Sequence, residues 1–78
     1  MTKKEMIKTI QKHEAELFLQ LKGNEYAFGE DHIITSKSRS KWLGINNLME
    51  TLGIRHDITL PENKKAIELI NEKSKEAA

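Results

Sequence analysis

Leu52-Gly53-Ile54-Arg55-His56-Asp57-Ile58-Thr59-Leu60-Pro61-Glu62 decides the fold, because it closes one helix and opens the next. Gly53 can take the left-handed conformation that ends a helix, and Ile54 can then fold back onto Met49 in a Schellman-type stop. Thr59 and Glu62 have the spacing of a capping box, with Pro61 in the first turn, where a missing N–H costs nothing. Between these signals Ile54, His56, Ile58 and Leu60 alternate imperfectly. A lone extended segment has no strand to pair with, so this stretch reads as a loop.

Upstream, Thr2-Lys3-Lys4-Glu5 repeats the capping-box pattern and starts a first helix. At 100° per residue Met6, Ile7, Ile10, Leu17, Phe18 and Leu21 share one stripe. Gly23 could stop it, but the same wheel returns Phe28 to the stripe, and Gly29 then supplies the terminus. Ile33 and Ile34 precede a cap at Thr35 or Ser36, placed as a hydrophobic staple. The second helix gathers Ser38, Trp42, Ile45, Leu48, Met49 and Leu52 on its inner face. The third turns Ala66, Ile67 and Ile70 inward and frays at Lys73-Ser74-Lys75-Glu76. The expectation is an all-α, three-helix domain over residues 1–78, an up-down-up bundle or an orthogonal packing with a long first helix. Its helices should cover about 3–28, 36–52 and 60–75.

Composition narrows the function classes. At 78 residues, with 37% hydrophobic and 32% charged side chains, the chain has room for one modest core. Thirteen Lys and Arg nearly cancel twelve Asp and Glu, so no bulk charge steers it to nucleic acid or membrane. No apolar run reaches the ~20 residues of a membrane span. Lys3, Lys4, Lys8 and Lys12 lack the apolar block of a secretory signal behind them. A chain without cysteine suits a reducing cytosol, so the expectation is a cytoplasmic protein, complete as it stands. Lys-, Ile- and Asn-rich usage points to an AT-rich genome, bacterial or phage.

Four groups of residues could carry function. Glu14 interrupts the first helix's apolar stripe. It is a buried carboxylate with a raised pKa, a polar group that sets a dimer's register or, as expected for a half-covered helix, an acid reaching water or a lysine of the second helix. Lys37, Arg39 and Lys41 alternate with Ser36, Ser38 and Ser40 ahead of Trp42, where helix N–H groups could join them around a phosphate of nucleic acid. Lys37 and Lys41 lie on one flank and Arg39 on the other, which argues against a three-point clamp. Tyr26 and Leu43 point away from the apolar stripes and could touch a partner protein. His13, His32 and His56 fall in separate segments without i, i+4 spacing, so no metal site is expected. No nucleophilic triad, phosphate loop or dinucleotide fingerprint occurs, and neither enzymatic activity nor a cofactor is expected. Gly53 resembles the turn glycine of a helix-turn-helix, but Pro61 would break the recognition helix. The reading is a non-enzymatic protein-binding module that pairs with itself as a homodimer or with another protein. The alternative is a nucleic-acid accessory protein using residues 36–42. No motif ties the chain to a known family.

Overall fold

The computed structural model describes residues 1–77 in the backbone and side chains as far as Lys75. Three helices follow one another, α1 (Lys3–Phe28), α2 (Ile33–Leu52) and α3 (Pro61–Ala77). Lys12 of α1 meets Glu62 near the start of α3, and Lys73 near its end reaches the Glu25 carbonyl, so α1 and α3 run parallel. Asn24 pairs with Ser38, and Glu14 with Trp42, so α2 returns antiparallel. The order is up, down, up. Both α2 and α3 pack on α1, and among the described residues they do not pack on each other.

The ends of the helices show which local signals won. Thr2 Oγ1 accepts the Glu5 N–H at 3.1 Å and caps α1. At its other end Gly29 takes φ 89°, ψ 166°, and its N–H bonds the Glu25 carbonyl, giving the longer version of α1. Gly53 takes φ 70°, ψ 25°. The Gly53 and Ile54 N–H groups reach the carbonyls of Glu50 and Met49 at 3.2 and 2.8 Å, so the Schellman stop forms as its residues imply.

One expected start is displaced, and one expected cap does not form. α2 begins at Ile33, about one turn before residue 36, and His32 is its cap, with Nδ1 accepting the Ile34 N–H at 3.1 Å. Ile33 and Ile34 are therefore its first helical residues rather than a staple outside it. Thr35, offered as a cap, instead spends its hydroxyl on the Gly29 carbonyl at 2.7 Å and closes the α1–α2 turn. The Thr59–Glu62 capping box does not form either. Thr59 donates both its N–H and its hydroxyl to Asp57, and Asn63 bonds the Asp57 carbonyl at 2.7 Å. In an Asx turn Asp57 takes the Thr59 N–H that the box would give to the Glu62 side chain, and the Glu62 carboxylate is engaged by Lys12 instead. α3 then runs to Ala77, two residues past its expected end, and Ala78 lies outside the described residues.

The core is small. Among the described residues Ala15, Leu21, Met49 and Ala66 are the buried apolar ones, and Glu14, Thr35, Ser38 and Asn63 are buried beside them. Leu48 and Leu52, expected inside, are 48% and 56% exposed, and Ile67 and Ile70 also keep much of their surface. The cause is the splayed arrangement: a helix that touches only one neighbour buries a narrower stripe than its wheel offers. The radius of gyration, 13.4 Å, exceeds the about 11.5 Å of a compact chain of this length because the shape is elongated, 44 × 24 × 17 Å. No helix is long and apolar enough to cross a membrane among the described residues.

Candidate functional site

Because α2 and α3 stand apart on α1, a crevice runs between them with α1 as its floor. One end is filled by charge. Glu25 of α1 pairs with Lys22 at 3.2 Å and with Arg39 of α2 at 3.8 Å. The Lys73 ammonium of α3 adds a 3.4 Å contact to the Glu25 carbonyl. The other end is an open notch of about 220 Å³. Phe18 and Glu14 form its floor, Trp42 one wall, Asn63 and Ile67 the other, and His56 with Ile58 close it from the α2–α3 loop.

Glu14 is the chemical centre of this notch. It is 1% exposed, so it reaches neither water nor a lysine of α2. Its Oε2 accepts the Trp42 Nε1–H at 2.6 Å. Its Oε1 lies 2.8 Å from His56 Nδ1, yet among the described residues no donor is aligned with that oxygen. The ring thus covers Oε1 at contact distance without completing a directed hydrogen bond. A buried carboxylate in this state keeps much of its desolvation cost, because one lone-pair site is served only by proximity. Phe18 and Trp42 pack with ring centroids 5.4 Å apart and planes tilted by 41°, which props the indole against the acid. The Lys22 ammonium sits 5.4 Å from the centroid of the same Phe18 ring.

A second electrostatic cluster fastens α3. Lys12 pairs with Glu62, and the Gln11 amide reaches the Arg55 carbonyl at 2.9 Å. The hydrogen bond from Lys12 holds the Glu62 carboxyl below its usual value and raises Lys12 above its own. The Thr59 hydroxyl does the same to the Asp57 carboxyl, lowering it.

The other candidate residues are not brought together. Arg39 turns towards Glu25 and the Glu30 carbonyl, whereas Lys37 and Lys41 are exposed. Lys41 lines a shallow groove between α1 and α2 with His13, Leu17, Gln20, Gly44, Ile45 and Leu48. Tyr26 lines a different groove, between α1 and the end of α3. Leu43 is exposed on α2 outside that groove. Among the described residues no three His, Asp or Glu side chains converge as a metal site. Sequence reasoning missed His56 as a neighbour of Glu14, because the path of an irregular loop over α1 has no periodic signal. It singled out Glu14 and Trp42 separately without the register that joins them. Comparison of the chain with protein-family models, curated proteins and solved structures finds no match, so these residues are judged on their own geometry.

Proposed function

We propose that this chain is a non-enzymatic protein-binding module of the cytosol that works as a homodimer through the α1–α2 face. The observation that carries this reading is the apolar flank formed by Ile45, Leu48 and Leu52, one helical turn and then another apart on α2. Leu48 and Leu52 are about half exposed, and Leu17 of α1 lies across the shallow groove from Ile45 and Leu48. Area supports it as well. The accessible surface is 5622 Å², roughly 800 Å² more than a compact 9.0 kDa chain presents. About 800 Å² is what one partner contributes to a standard interface. A C2 pairing of identical faces would cover Leu48 and Leu52 on both copies with one contact. The absence of cysteine suits the reducing compartment.

Sedimentation velocity over a concentration series tests the proposal. The expected result is a monomer–dimer equilibrium, with Leu48→Glu and Leu52→Glu monomeric and still helical. A wild-type chain that remains monomeric at high micromolar concentration would overturn it.

A further inference from the structure

We propose that the notch between α2 and α3 binds a small organic cation, a primary ammonium or amidinium group on a compact apolar body, with Glu14 as its counter-ion. The site is distinct from the α1–α2 face, since Trp42 and Leu48 point to different flanks of α2.

Four features converge on this ligand class. First, Glu14 is buried and no Lys or Arg pairs with it among the described residues, so the cation that a buried carboxylate calls for is not supplied there by an ammonium or guanidinium. An anion is excluded by the same acid. Second, the unaligned oxygen is Oε1, the one that faces His56 rather than Trp42. A ligand N–H there would complete the coordination that the histidine leaves open. Third, the rest of the notch is apolar and partly aromatic, with Phe18, Trp42, Ile58 and Ile67 around about 220 Å³. That space takes a single ring or a short branched chain, smaller than a drug-sized ligand. Fourth, ring faces favour a cation over a neutral group of the same shape, and Lys22 already rests on the Phe18 ring from the charged end of the crevice.

Entry needs one movement. The His56 side chain is 45% exposed and belongs to the loop between α2 and α3, so swinging it outwards uncovers Oε1 without unpacking a helix. The Asn63 Nδ2–H group donates to the Asp57 carbonyl, which fixes this wall of the notch.

Trp42 is the single tryptophan, and its indole N–H bonds the proposed counter-ion, so its NMR resonance reports the site directly. The whole chain is titrated with benzylamine and, separately, with benzyl alcohol. Saturable movement of the Trp42 indole signal by benzylamine is expected, with the alcohol at least about tenfold weaker, as loss of a charge-assisted hydrogen bond implies. Glu14→Gln should erase the difference. Ile67→Phe, which fills the notch from the exposed side of α3 and leaves the acid in place, should abolish binding even where Glu14→Gln fails to fold. No saturable shift with benzylamine, equal affinity for the alcohol, or undiminished binding by Ile67→Phe would each overturn the proposal.

Discussion

Trp42 donates its indole N–H to Glu14 at 2.6 Å, which makes one unit of the chain's only tryptophan and a carboxylate that is 1% exposed. The bond joins the middle of α1 to the middle of α2, and it is what a buried acid and a half-buried indole each require.

Breaking one side of that unit should cost more than replacing both. Trp42→Phe leaves Oε2 without its donor, and a loss of about 1–3 kcal/mol is expected. Adding Glu14→Leu to it should recover most of the loss, because an apolar pair leaves no orphaned group. Urea unfolding followed by circular dichroism measures both. Equal or additive losses would mean that the carboxylate is satisfied from elsewhere.

Acid should weaken the attachment of α3. Glu62 and Asp57 are both held below their ordinary values in the folded chain, by Lys12 and by Thr59 respectively. The unfolded chain therefore takes up protons first, and the stabilisation is complete above the unfolded carboxylate values of 4.5 and 3.8. It fades as pH falls through the lower folded values. Lys12 is raised from 10.5, so its share is whole below that pH and is lost above it. Urea midpoints between pH 7 and 3 should decline, and Glu62→Gln should flatten the decline. A Glu62→Gln profile parallel to wild type would refute the Lys12 linkage.

Three glycine-to-alanine substitutions should differ in sign. Each meets open space, with no atom within 4 Å of an added Cβ at Gly29, Gly44 or Gly53. Only backbone conformation is left to decide. Gly53→Ala, at φ 70°, should lose about 1–2 kcal/mol. Gly29→Ala, at φ 89° and ψ 166°, occupies a region used almost only by glycine and should lose about 1–3 kcal/mol. Gly44→Ala, inside α2, should gain about 0.5–1 kcal/mol. Thermal melts of the three variants check the order.

The basic segment offers a separate test. With Arg39 turned to Glu25, Lys37 and Lys41 are left as surface charges. The double change Lys37→Ala with Lys41→Ala should move stability by less than about 0.5 kcal/mol. DNA and RNA mobility shifts at low salt should be blank. A shift that falls steeply with salt and weakens in the double variant would instead select the nucleic-acid alternative.

How much of this was legible in the residues depends on how local each signal is. Gly53 and Gly29 end their helices visibly because a positive φ is demanded of one residue and few others accept it. Thr2 caps α1 from a pattern four residues long. The start of α2 was hidden because histidine is an uncommon cap and Thr35 and Ser36, the usual choices, lie inside the helix. At α3 two legitimate local solutions competed, and Asp57 prevailed over Thr59. Glu14 was visible as an anomaly on its stripe. Its burial depends on Trp42 and His56, which lie 28 and 42 positions further along the chain, and no period within one helix encodes their approach. Leu48 and Leu52 read as inward because a wheel counts apolar positions and cannot count neighbours.

The separation of α2 from α3 has a dynamic consequence. With α1 as the shared spine and no packing between α2 and α3 among the described residues, the outer helices are expected to open in steps rather than all at once. Native-state amide exchange should then rank the segments. The middle of α1 would exchange slowest, α2 next behind its Trp42 anchor, and the second half of α3 fastest, a gradient that a tightly closed bundle would not display.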